Sequence, residues 1–266
     1  MALQSSGAIS LNEIHIEAGG TTGTSASIND SDIRGLIDKA SGATMSFSEW
    51  YGADFYINLT YVDKSSVAGS SSVSSISYPS GTSSGDLIVA CISDSRSNVG
   101  SALSPVASLT GFTQLDNRIH TLSESTKGGT FFYRSRVRIM YKIAGAESSA
   151  SCNLTSSSGG GIALYSFTPS RSISTVSANS FVKDTSSAND VSLSTTESQP
   201  VILIANSYTN DTNGTPSPAT DFVDVGNQNS VILYDGDGTA TLTVDFDGGS
   251  LAGYPRFNHH GYLTWS

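Results

Sequence analysis

Arg136-Val137-Arg138-Ile139-Met140-Tyr141-Lys142-Ile143 is the stretch whose pattern decides the class of fold. Val137, Ile139, Tyr141 and Ile143 alternate with Arg136, Arg138 and Lys142, and a period of two puts the two sets on opposite faces of a strand. The expectation is one buried face and one wet face. Pro200-Val201-Ile202-Leu203-Ile204-Ala205 is apolar on both faces, as a central strand covered on both sides should be. Further candidate strands at 86–92, 161–167, 231–234, 239–246 and 262–265 are bounded by Gly, Ser, Asn and Asp clusters. Asp235-Gly236-Asp237-Gly238 offers positive-φ positions between two of them and is expected to turn a β-hairpin. No long amphipathic helix separates the strands. The expected fold is therefore mainly β, an antiparallel jelly-roll-like β-sandwich over residues 54–266.

Composition bounds the function. Only 14% of the 266 residues are charged, and a Ser-, Thr- and Gly-rich chain with three methionines suits short strands and many turns. Thirteen basic residues against 23 acidic ones give a formal charge of −10, so no nucleic-acid partner is expected. No apolar run approaches the roughly 20 residues of a membrane span, and the amino end lacks signal-peptide regions, which predicts no membrane insertion and synthesis in the cytoplasm. Cys91 and Cys152 each alternate with apolar neighbours and read as reduced core thiols.

Residues 1–53 have a different texture. Ser6-Gly7-Ala8-Ile9-Ser10-Leu11-Asn12-Glu13-Ile14 is echoed by Ser41-Gly42-Ala43-Thr44-Met45-Ser46-Phe47-Ser48-Glu49-Trp50. Each copy holds a Ser-x-x-Glu capping box, which predicts a helix start. Ile33, Leu36 and Ile37 at helical spacing after Asn29-Asp30-Ser31-Asp32 predict a third short helix. Helices this short are marginal alone, so the segment is expected to gain its order by docking onto something else. The stretch from Lys64 to Ser75 has the composition of a linker or surface loop.

Candidate chemistry is sparse. His259 and His260 are adjacent and would point to opposite faces of a strand, which argues against a shared metal. Asp235, Asp237, Asp245 and Asp247 could offer oxygens to calcium, but an acidic Gly-rich turn explains them without a cofactor. No nucleophile elbow, phosphate loop or carboxylate pair is evident, so no catalytic residue and no enzymatic activity are expected; a hydrolase acting on a host envelope would need one. Arg134, Arg136, Arg138 and Lys142 form a basic face, and Arg136 and Arg138 are candidate contacts to an acidic subunit or partner. Tyr208, Asn210, His259 and Tyr262 lie in polar, Tyr- and Asn-containing stretches that could stack on a sugar ring and bond its hydroxyls.

The pattern from Ser6 through Asn29-Asp30-Ser31-Asp32-Ile33-Arg34-Gly35-Leu36 to Met45-Ser46-Phe47-Ser48-Glu49-Trp50-Tyr51-Gly52 resembles a segment that opens many virion proteins of tailed bacteriophages, those of marine phages and cyanophages especially. Gly85-Asp86-Leu87-Ile88-Val89-Ala90, Gly111-Phe112-Thr113-Gln114-Leu115, Met140-Tyr141-Lys142-Ile143-Ala144-Gly145 and Ile162-Ala163-Leu164-Tyr165-Ser166-Phe167 are similar to β domains of phage tail and surface proteins. The resemblance implies a virion location, with residues 1–53 docking to other virion proteins. Leu11, Ile14, Ile33, Leu36, Ile37, Phe47, Trp50 and Tyr51 are then the candidate contacts. It implies a tail-fibre or adhesin component, or else a head decoration protein or a receptor-recognising, carbohydrate-binding module for host surface glycan. Phage surface parts repeat around symmetry axes, so a homo-oligomer is expected, a trimer for a fibre-like part.

Overall fold

The computed structural model describes residues 3–68, 73–99, 107–126, 129–154, 160–184, 190–207, 219–225, 228–245 and 258–266. Two five-stranded antiparallel sheets lie face to face. Sheet I runs in the order β1 (Leu59–Ala68), β8 (Gly160–Pro169), β3 (Leu87–Val99), β6 (Gly129–Ile143), β5 (Thr113–Thr126). Sheet II runs β9 (Val176–Asp184), β15 (Asn258–Trp265), β11 (Val201–Ser207), β13 (Gln228–Asp235), β12 (Asp221–Val225). Between them Leu87, Val89, Cys91, Tyr165 and Phe167 of sheet I meet Ile202, Ile204, Ile232, Leu263 and Trp265 of sheet II. Full burial of each large apolar side chain contributes about 1.5–3 kcal/mol.

The outer face of each sheet is covered as well. β2 (Val73–Ser77), β7 (Ser149–Leu154) and β4 (Ser108–Leu109) lay Ile76, Leu109, Ala150, Cys152 and Leu154 on Ile88, Ala90, Ile92, Met140, Ile162 and Leu164 of sheet I. β10 (Asp190–Ser194) and β14 (Thr241–Asp245) lay Val191, Leu193, Leu242 and Val244 on Val201, Leu203, Ala205 and Val231 of sheet II. The result is four β layers enclosing three apolar cores. Burial of the 200–205 stretch on both faces follows from this stacking.

Three expectations are corrected by it. The strand holding Arg136 has no wet face at that point, because the three-stranded sheet covers it. β13 and β14 do not form a hairpin: the Asp235–Gly238 turn carries the chain out of sheet II, and β14 pairs with β10 instead. Gly238 has φ +79, and a Cβ there would stand 2.3 Å from the Gln199 carbonyl oxygen, so this crossing needs glycine. The described part of the linker-like stretch 64–75 is the end of β1 and the start of β2.

The two halves of the β region are copies of one topology. β1-β8-β3-β6-β5 matches β9-β15-β11-β13-β12 strand for strand, and the β2/β7 pair matches β10/β14. Registers agree: Leu59 faces Pro169 as Val176 faces Trp265, and Leu87 faces Phe167 as Ile202 faces Leu263. Both leading strands bulge, β1 between Tyr61 and Asp63 and β9 slightly further along, where Ser180 (φ +52) and Phe181 lie opposite Gly261. β1 packs across the sandwich on β12, and β5 on β9, so an approximate two-fold axis along the strands relates the units.

The strand ends sort into two poles. Leu59, Leu87, Ile143, Pro169, Val201, Asp235 and Trp265 mark one, where Trp265 Nε1 donates to Ile57 O at 2.7 Å and ties the sheets together. β1, β3, β5, β7, β9, β11, β12 and β14 all run toward the other.

Candidate functional site: a docking segment at one pole

Both capping boxes form. Glu13 N donates to Ser10 Oγ at 3.2 Å and Ser10 N to Glu13 Oε2 at 2.7 Å, starting α1 (Leu11–Glu17). Ser10 Oγ also donates to Glu13 Oε2 at 2.8 Å, and this bond together with that from Ser10 N holds the Glu13 carboxyl below its ordinary pKa. Ser46 N donates to Glu49 Oε2 at 2.7 Å and opens a 3₁₀ turn at Phe47–Trp50. α2 (Ser31–Gly35) follows Asp30.

The segment has a core of its own. Ile14, Ala18, Ile33, Leu36 and Trp50 are buried together, and Trp50 Nε1 donates to Ile33 O at 3.1 Å. Arg34, 2% exposed, donates to Ala40 O at 3.0 Å, Ala43 O at 2.9 Å and Asn29 Oδ1 at 2.8 Å, so carbonyls satisfy the buried guanidinium. Leu3 N donates to Ala53 O at 2.7 Å and Gly52 N to Gln4 O at 3.2 Å, closing the segment at its ends. The segment, expected to gain its order mainly by docking, thus has apolar packing of its own. Ile14, Ile33, Leu36 and Trp50 are occupied internally, and Leu11 and Ile37 are half-buried at the margin. Phe47 and Tyr51 remain exposed at 46% and 37%. Ile16 and Phe55, which the sequence reading did not single out, join them at 42% and 47%. The signal for Ile16 was present: residues two apart on a helix cannot share a face, so burying Ile14 turns Ile16 outward.

This segment sits on the pole where Trp265 ties the sheets. Arg171, in the connection from β8 to β9, donates to Gly35 O at 3.0 Å and to Phe55 O. Asp38 accepts from Ser172 N at 3.0 Å and Ser172 Oγ at 3.3 Å, and Glu17 accepts from Phe55 N at 2.9 Å. A cleft of about 530 Å³ lies alongside, lined by Ile37, Lys39, Glu49, Tyr51, Asp54 and Arg171 among others.

The basic face is internal. Arg136 bonds the fully buried Asp94 through Nε at 3.2 Å and Nη2 at 3.4 Å, and both Arg136 and Arg138 donate to Ala107 O. Ala107 N returns a bond to Asp94 Oδ2 at 2.8 Å, so the cluster pins the start of β4. Burial pushes the Asp94 carboxyl up and lowers the Arg138 guanidinium to about 10. Lys142 pairs with Glu147 and lies 5.8 Å from the centre of the Tyr78 ring. Arg136 and Arg138 thus hold a covering strand and do not present a partner surface.

Of the sugar-binding candidates, Tyr208 and Asn210 lie outside the described residues. His259 is fully buried between the sheets and Tyr262 is half-buried with its hydroxyl donating to Glu197, so neither is presented to a glycan. Cys91 and Cys152 lie in different cores and form no disulfide, and burial pushes Cys91 up to about 12. Asp235 and Asp237 each accept a backbone N–H of their own turn at 3.0 Å. Among the described residues no group of three or more His, Cys, Asp or Glu side chains could hold a metal, and no helix is long and apolar enough to cross a membrane. No family model, curated protein or solved structure matches the chain.

Proposed function

We propose that this is a non-enzymatic structural protein of a tailed-phage virion, in which residues 1–53 dock to the particle and the β region projects outward as a tail-fibre or adhesin component. The observation that carries the reading is the bipolar layout: a segment with its own apolar cluster caps one pole, and eight strands run toward the opposite one. Four of the five exposed large apolar side chains among the described residues, Ile16, Phe47, Tyr51 and Phe55, belong to the segment or its junction, which is where a partner would gain most from burial. The strand order supports reading the first unit as a jelly roll, with β1-β8-β3-β6 facing β2-β7-β4.

Immunogold labelling of purified particles with an antibody against the β region tests the assignment. Label on the tail is expected. Label spread over the head would make the protein a decoration protein, and unlabelled particles would overturn the virion reading. With wild-type protein that co-sediments with particles, Phe47→Ser/Tyr51→Ser is expected to lose co-sedimentation while still unfolding cooperatively, the losses inside the segment being confined to the Tyr51 bond to Gly7 O and the Phe47 contact with Trp50.

A further inference from the structure

The approximate two-fold axis makes the two flanks of the sandwich counterparts, yet different chemistry closes them. On the β1/β12 flank Lys64 Nζ lies 2.6 Å from both Asp221 Oδ1 and Phe222 O, and the Tyr61 hydroxyl donates to the same carboxylate. Neither β1 nor β12 carries a histidine. On the β5/β9 flank Asp116 Oδ2 accepts from Arg118 Nε at 2.8 Å and meets His259 Nε2 at 2.5 Å. Arg118 Nη2 continues to Phe181 O at 3.0 Å, and Lys183 Nζ reaches Ile119 O at 3.2 Å. His259 is 0% exposed, its ring centre is 5.1 Å from that of Phe181, and Asn206 sits beside it in register. Its Nδ1 is buried and has no partner.

We propose that the β5/β9 flank is an acid-sensitive seam, which opens when His259 takes up a proton while the β1/β12 flank stays shut as the hinge. A neutral imidazole donates Nε2–H to Asp116 and leaves only a lone pair unsatisfied at Nδ1. Protonation would turn Nδ1 into a buried charged donor with only the neutral amide of Asn206, whose own atoms also lack partners, beside it in register, which is far more costly than the unsatisfied lone pair. It would also set a second cation on a carboxylate oxygen that Arg118 already engages. From β5, Asp116 favours the proton and Arg118 opposes it; from β9, Lys183 is the register partner of His259 but is exposed, with its Nζ on Ile119 O, and Phe181 carries no charge; Asn206 of β11 adds none. Burial outweighs Asp116 and holds the imidazole below its usual 6.5. Above that pH both closed and open forms are neutral and the seam is at full strength. As pH falls through 6.5 the open form binds a proton that the closed form refuses, and the opening equilibrium rises by up to about tenfold per pH unit until the closed form titrates.

Hydrogen exchange of the whole chain at pH 7.5 and 5.5, corrected for the chemical rate, reads this directly. Peptides from β5 and β9 are expected to gain about tenfold in exchange relative to peptides from β1 and β12. His259→Gln should abolish that gain, and Asp116→Asn should raise exchange at the same flank even at pH 7.5. Equal acid response on both flanks, or a gain that survives in His259→Gln, would overturn the proposal. Should the variants fail to fold, the ratio between flanks in the wild-type protein decides alone.

Discussion

At the centre of sheet I the first β unit places Tyr165, where the second places Gly261; at the next inward row Cys91 and Ala163 stand where Asn206 and His259 do. The tyrosine crosses the gap, its hydroxyl 2.9 Å from Ser230 O and 2.7 Å from Ser230 Oγ in the other unit. The glycine recedes, and the Phe181 ring of its own bulged edge strand fills the space. Two copies of a sheet packed face to face share one close-packed layer, so the bulky Tyr165 requires a small residue, Ser230, where its hydroxyl lands, and the space left at Gly261 must be filled from elsewhere, here by Phe181. Equivalence of backbone is thus kept by inequality of side chains.

Substitutions at matched positions can break or sharpen that comparison. Phe167 and Leu263 occupy equivalent inward sites and both are fully buried. Phe167→Ala should cost about 3–5 kcal/mol and Leu263→Ala about 2–5 kcal/mol in urea unfolding, each in a single transition. If one unit unfolded while the other survived, the shared layer would not be holding them together. Gly261→Ala should cost about 1–3 kcal/mol, because the added Cβ would stand 2.4 Å from Phe181 Cγ; loss of that cost when Gly261→Ala is made in a Phe181→Ala background would locate the clash. Asp221→Asn on the β1/β12 flank should cost only about 1 kcal/mol, since Lys64 is partly solvated, and the loss should shrink in high salt.

The parts of the structure legible in the sequence are those governed by local periodicity and capping. Ser10 with Glu13 and Ser46 with Glu49 announced their turns, and 200–205 announced a strand covered twice. What could not be read is which layer a strand joins. The Asp235–Gly238 turn fixes a local change of direction, but the same residues serve a hairpin or a step between sheets, and only the apolar faces of β10 and β14 select the latter. Arg136 and Arg138 looked wet because their covering strands are short and Ser-rich, with Ala150, Cys152 and Leu154 as modest apolar contributions. The duplication was hidden for a similar reason. Ser75-Ile76-Ser77 and Ser192-Leu193-Ser194 preserve alternation and little else. Among the candidate contacts, Phe47 and Tyr51 are exposed whereas Ile14, Ile33, Leu36 and Trp50 are buried, because apolar residues that fill a miniature core and apolar residues that await a partner look alike in sequence.

In each unit the first strand pairs with the last, Leu59 with Pro169 and Val176 with Trp265. Such closure is non-local and therefore slow, because the intervening chain must be ordered before its ends can meet. During synthesis the first unit can close as soon as β8 has emerged, while sheet II does not yet exist. Its inner face is then an uncovered apolar sheet, and the second unit assembles on that face as on a template. The window between the two closures is the time at which this chain is most open to misassociation with a neighbouring copy.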